Sequence, residues 1–176
     1  SESSYYRASG TYTMVATFAG GAPTGVEIEP NDTTAQVITS GESIVGSLST
    51  VSDEDYYAIT TNSAGTLTVN FQTDVSQRYG YQFFILDEAG NILASETCDS
   101  DCVTSRGESQ SVSVGLGTAG TYRVLVRSES SYYRPSGTYT MVATFAGGAP
   151  TGVEIEPNDT TAQVITSGES IVGSLS

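Results

Sequence analysis

The sequence predicts an all-β protein: an antiparallel, jelly-roll-like β-sandwich in tandem 127-residue repeats. Three observations carry this reading. Apolar and polar residues alternate with a period of two over eight short stretches rich in Val, Ile, Thr, Tyr and Phe. No comparable stretch keeps the 3.6-residue period of an amphipathic helix. Residues 1–49 recur at 128–176 with one change, Ala8 against Pro135, so the duplication has an offset of 127 residues.

The predicted strands follow in order. They are SIVGSL (43–48), DYYAIT (55–60), GTLTVNFQ (65–72), YGYQFFIL (79–86), NILASE (91–96), QSVSVGL (110–116), GTYRVLVRS (120–128) and GTYTMVATF (137–145). Between them, DEAGN (87–91) and GTAGT (117–121) place glycine where a tight turn needs positive φ. Short strands with regular turn signals argue a sandwich, and about 120 residues suffice for one buried core.

The Gly/Pro-rich FAGGAPTG has no strand pattern and reads as a linker. The expected organisation is therefore residues 1–18 as the last strands of a preceding repeat and 19–25 as linker. Residues 26–145 form one complete sandwich, 146–152 a second linker, and 153–176 the first strands of a following repeat. Near-identity of the copies predicts a longer array, with neighbouring copies as partners. On that view residues 1–18 take, in a neighbouring unit, the place that 128–145 take here, and the fragments do not fold back on the sandwich.

One repeat, residues 1–127, carries 15 Asp and Glu against 5 Arg, a net of −10, and Lys, His and Trp are absent. Such a surface repels phosphate, so nucleic-acid binding is not expected. No apolar run approaches the ~20 residues that span a bilayer, so membrane insertion is not expected either. Without His or Lys there is no Ser-His or Cys-His pair and no Schiff base, and no glycine loop leads into a helix. Enzymatic activity is not expected. Cys98 and Cys102, in ETCDSDCVT, make a poor zinc site without His or a second Cys pair. A local disulfide, implying an oxidising extracellular location, fits better. Free thiols, or Asp99 and Asp101 helping to hold a cation, are the other readings.

Two acidic stretches stand out. In an extended EIEPND, Glu27, Glu29 and Asn31 project to one side, and Asp32 follows where Pro30 bends the chain. SDEDYY adds Asp53 and Asp55, two apart on one strand face. Such oxygens repel one another unless a cation sits between them; the alternative is an acidic linker kept soluble. Tyrosines in SSYYR (130–134) and DYYAI (55–59) are expected mostly along the sandwich rim, with one of each strand pair facing outward.

EIEPNDTTA (27–35), GSL (46–48), DEDYY (53–57), LDEAGN (86–91), GTYRVLV (120–126) and a closing GTYT (137–140) together resemble the bacterial pre-peptidase C-terminal domain family, related to the collagen-binding modules of clostridial collagenases. The similarity runs from Glu27 to Phe145. The resemblance implies a secreted, jelly-roll-like sandwich that binds calcium. It names Glu27, Glu29, Asn31, Asp32, Asp53 and Asp55 as ligands, repeated in the next unit by Glu154, Glu156, Asn158 and Asp159. Collagen-contacting aromatics find no match residue by residue. The expected function is a structural module of an extracellular bacterial surface stalk or filament, its linkers stiffened by calcium. The alternative is a repeated adhesin, binding glycan or protein by avidity.

Overall fold

The computed structural model describes residues 24–74, 76, 79–100, 102–158 and 162–173. The expectations for residues 1–18 and for Asp159 lie outside the described residues. Among the described residues the strands are β1 (Gln36–Val37), β2 (Ser43–Gly46), β3 (Glu54–Thr61), β4 (Gly65–Thr73), β5 (Tyr81–Leu86), β6 (Ile92–Cys98), β7 (Gln110–Leu116), β8 (Gly120–Ser128), β9 (Tyr139–Gly147) and β10 (Ile155–Glu156). One 3-10 turn, Thr104–Arg106, interrupts the connection from β6 to β7.

Two five-stranded sheets pack face to face, one in the order β1-β3-β8-β5-β6 and the other β10-β7-β4-β9-β2. Period-2 alternation sets which side chains enter the space between them. Along β4, Gly65, Leu67, Val69, Phe71 and Thr73 are buried while their neighbours face outward. Facing them from the other sheet are Tyr57, Ile59, Tyr81, Phe83, Ile85, Val124 and Val126, all essentially inaccessible. Phe71 is the hub of the core. It stacks on Phe83 at 4.8 Å and on Tyr139 at 5.1 Å, and Tyr81 meets the Tyr139 ring edge-on at 5.4 Å. Such pairs contribute roughly 0.5–1.5 kcal/mol each beyond their buried area.

All eight predicted strands are present, with ends shifted by a few residues. The long ladders are antiparallel, but β1 pairs with β3, and β10 with β7, in parallel. The expected sandwich of antiparallel ladders is present, and these two short parallel pairings make its sheets mixed. Both exceptions are two-residue strands that alternation over four or more residues does not detect. β9 also continues into the expected linker, because Thr66 and Gly65 of β4 still offer partners to Ala146 and Gly147. The stretch after it is not free of the sandwich: Ile155 and Glu156 pair with Gly115 and Leu116 of β7. The expectation that 153–176 stands apart from 26–145 is corrected accordingly.

Cys98 and Cys102 form a disulfide with a Cα separation of 5.6 Å, and both residues are buried. The bridge does more than close a small loop. Cys98 ends β6 in one sheet, whereas the carbonyl of Cys102 accepts the Thr73 N–H of β4 in the other at 2.9 Å. Thr104 then donates its hydroxyl to the Thr73 carbonyl at 2.7 Å. The disulfide thus ties the two sheets together at one end. Gly80 lies beneath it, where a Cβ would come 1.8 Å from the Cys98 carbonyl oxygen. Backbone that close cannot yield as a flexible side chain does.

Two outcomes follow for stability. The double variant Cys98→Ala/Cys102→Ala is expected to lose about 2 kcal/mol in urea unfolding, as for closure of a short loop, with faster exchange of the Thr73 amide. Gly80→Ala is expected to cost roughly 1–3 kcal/mol through overpacking against β6. An unchanged urea midpoint in the first variant contradicts the tie between the sheets, and in the second the close packing of Gly80 on β6.

Candidate metal centre

The N-terminal arm is built by side chains standing in for a strand partner. Glu27 donates its N–H to the Val45 carbonyl at 2.9 Å, and Val45 donates back to Gly25 at 3.0 Å. On the other side the Gln36 amide accepts from the Ile28 N–H at 2.8 Å and donates to the Val26 carbonyl at 3.0 Å. This clamp holds the arm extended, so that the side chains of Glu27 and Glu29 turn toward the open end of the sandwich. Asp55 comes up from β3, two residues before Tyr57.

One carboxylate oxygen each from Glu27, Glu29 and Asp55 lies within 4.8 Å of the others, and this group could hold a metal ion. Asn31 joins it, donating its N–H to Glu29 at 2.9 Å and its side-chain NH₂ to Glu27 at 3.4 Å. Asn31 and Asp55 are both 0% exposed, and their Oδ1 atoms are buried without a hydrogen-bond partner. Two orphaned oxygens beside two further carboxylates form an acceptor-rich cavity of the kind that a hard cation satisfies.

Two tyrosines line the inner wall. Tyr139 donates to Asp55 at 2.6 Å and lies 3.3 Å from Glu27, Tyr57 contacts Glu27 at 3.1 Å, and the two hydroxyls meet at 2.5 Å. Burial above all holds both phenols protonated, well above their usual range. The Ser47 N–H also donates to Glu27 at 3.0 Å. Burial, with the Glu27 carboxylate adding to it, pushes Asp55 up to about 9 against the opposing Tyr139 hydrogen bond. Burial likewise raises Glu29, helped by the charges of Glu27, Asp53 and Asp32. Without an ion, the cluster retains a proton that it would release to a cation.

The remaining residues named from the sequence are placed differently. Asp53 accepts the Ser49 N–H in its own loop. Burial acts to raise it, but the Ser49 hydrogen bonds outweigh that and hold it low. Asp32 accepts the Glu54 N–H at 3.2 Å. These two sit beside the centre and act on it through charge. In the second copy, Asn158 donates to Glu156 at 2.9 Å and to Glu154 at 3.0 Å, repeating the first.

The sequence reading missed Tyr57, Tyr139 and Gly46. In DYY one tyrosine faces outward as expected, Tyr56, while its neighbour Tyr57 is fully buried and was not assigned to the centre. The available signal was parity: Tyr57 shares the inward face with Asp55. Gly46 is required because a Cβ there would lie 2.4 Å from the Tyr139 hydroxyl.

No family model matches this sequence, and no curated protein matches it. Among solved structures, the pre-peptidase C-terminal domain of collagenase from Bacillus anthracis is similar with a TM-score of 0.50 and 19% identity, covering 67% of this chain and all of that one. A protein from Eubacterium rectale matches with a TM-score of 0.39 and 16% identity, over 64% of this chain and 39% of that one. The chain has the fold of the pre-peptidase C-terminal domain, the β-sandwich that its sequence motifs resemble.

Proposed function

We propose that this chain is a structural repeat module of an extracellular bacterial surface stalk or filament, and that its acidic centre holds calcium. One observation carries the calcium reading: the orphaned buried oxygens of Asn31 and Asp55 beside Glu27 and Glu29. The donors are carboxylate and amide oxygens without nitrogen or sulfur, the hard set that calcium takes at six to eight coordination. Glu27, Glu29, Asn31 and Asp55 are the proposed ligands, with Asp32 and Asp53 adding negative potential alongside. The ion would neutralise the repulsion among them and fix the arm to the sandwich it enters.

The near-identical second copy favours a spacer, since a spacer needs sameness and length. An extracellular location is supported by the disulfide, which persists in oxidising surroundings. Among the described residues no helix is long and apolar enough to cross a membrane. The proposed partners are neighbouring copies, with neither nucleic acid nor membrane insertion. A non-enzymatic role accords with the absence of His and Lys.

A repeated adhesin is the second reading, favoured by Tyr132, 87% exposed, beside Tyr133, which stacks on Tyr79 at 5.3 Å. A glycan or protein ligand would use that ladder, and Tyr132→Ala/Tyr133→Ala would then abolish retention on immobilised glycan or protein arrays without lowering the melting temperature. Equal retention of variant and parent removes this reading.

For calcium, titration calorimetry of the chelated chain should show binding that Glu29→Gln weakens at least about tenfold, with the fold retained. Chelation should lower the melting temperature by several degrees. The ion-free protein should also respond to pH in a definite direction. Folded Asp55 titrates near 9, above the ordinary carboxylate value, so the folded state keeps a proton that the unfolded chain has lost. Stability in chelator should therefore fall as pH rises from about 4 to 9, and saturating calcium should flatten or reverse that slope. No heat of binding and no calcium effect on melting would reduce EIEPND to an acidic linker.

A further inference from the structure

We propose that residues 153–157, which open the second repeat, are also the outermost strand of the repeat before it. The segment that carries one repeat's acidic centre thus forms the joint between repeats. This rests on the tandem reading above but not on calcium.

Without β10, β7 would be the edge of its sheet. A seven-residue edge with unpaired N–H and C=O groups invites uncontrolled pairing. Ile155 and Glu156 pair with its last two residues, Gly115 and Leu116, in parallel register, and the Gly115 N–H donates to the Glu154 carbonyl at 2.6 Å. β7 is shaped for this contact. A Cβ on Gly115 would lie 2.8 Å from the Glu154 oxygen, 2.9 Å from the Ile155 side chain and 2.9 Å from Pro150. Glycine weakens a strand interior, and here its small size lets a second backbone approach.

The arm docks without changing shape. Gly152 has φ 72° and its counterpart Gly25 has 75°. The Ile155 N–H reaches Gln163 at 2.8 Å, as Ile28 reaches Gln36. Val153 bridges Val172 as Val26 bridges Val45. In both copies the arm is held by its own repeat, through Val45 and Gln36 in the first and through Val172 and Gln163 in the second. In the second copy it binds β7 of the preceding repeat as well, the Glu154 carbonyl accepting from Gly115. The side chains at the two ends agree with this. Val26 and Ile28 are 44% and 41% exposed, whereas their counterparts Val153 and Ile155 are partly covered. Among the described residues, Val26 and Ile28 thus lack the cover that β7 gives their counterparts.

Glu154 and Glu156 correspond to Glu27 and Glu29, so the residues whose backbone forms the joint are those whose carboxylates face the centre of their own repeat. Whatever fixes those carboxylates also fixes the angle between successive sandwiches.

The test is amide exchange by NMR on the whole 176-residue chain, in calcium and in chelator. The Gly115 amide is expected to be protected. Gly115→Ala, and from the arm side Ile155→Asp, should speed its exchange at least about tenfold and open 148–158 to proteolysis. The β4–β9 amides should stay protected, which shows that the sandwich remains folded. Gly117→Ala, whose Cβ would sit an ordinary 3.6 Å from Ile155, should retain protection. Free exchange of the Gly115 amide in the parent chain, or unchanged protection in both disrupting variants, overturns the joint. Protection that persists while calorimetry shows no calcium binding supports the joint and sinks the metal reading alone.

Discussion

Glu27, Glu29 and Asp55 are drawn together at the end of the sandwich, within 4.8 Å of one another, and Asp55 is wholly inaccessible. Carboxylates at that separation in a low-dielectric site repel strongly unless protons, donors or a cation intervene. Three devices in the fold meet the requirement. The phenols of Tyr57 and Tyr139 face the cluster from the core, the Ser47 and Asn31 N–H groups donate from the loops, and Asp55 retains a proton. They leave the Oδ1 atom of Asn31, and that of Asp55 once it ionises, unsatisfied, which keeps the centre acceptor-rich.

That constraint reaches into the hydrophobic core through Tyr139. Its hydroxyl holds Asp55 while its ring stacks on Phe71, which in turn stacks on Phe83 across the inter-sheet space. The polar end and the apolar centre are thereby one packing problem. Gly46 shows the connection from the other side, since any side chain there would push the phenol off the carboxylate. At the disulfide, the Cys102 carbonyl and Thr73 tie β6 to β4. The two sheets are thus fixed to each other at the aromatic hub and at the disulfide.

The arm belongs to both of its neighbours in a literal sense. Its local conformation is built by Gln36 and Val45 in one copy and by Gln163 and Val172 in the other, with matching hydrogen bonds. A segment that holds its shape through contacts this local can keep it while β7 binds its Glu154 carbonyl as well. The stretch beginning FAGG is accordingly part strand at Ala146–Gly147, and a short connection then leads to a second strand at Ile155.

The sequence by itself determined the sandwich, because alternation over DYYAIT, GTLTVNFQ and GTYRVLVRS assigns inward and outward faces without reference to any partner. It favoured the disulfide, since two cysteines four residues apart without His make a poor metal site, and the structure shows the bridge. Part of the centre was legible for the same reason: Glu27, Glu29 and Asn31 share one side of an extended arm, and Asp55 shares a face with Tyr57. Only the tertiary structure decided that Asp32 and Asp53 turn to loop N–H groups, because their donors, Glu54 and Ser49, come into reach when the loops close. Only it brought in Tyr139, 84 residues from Asp55 in the chain, and only it placed Ile155 against Gly115. These contacts depend on which strands become neighbours, and side-chain periodicity along a single strand carries no information about its neighbours.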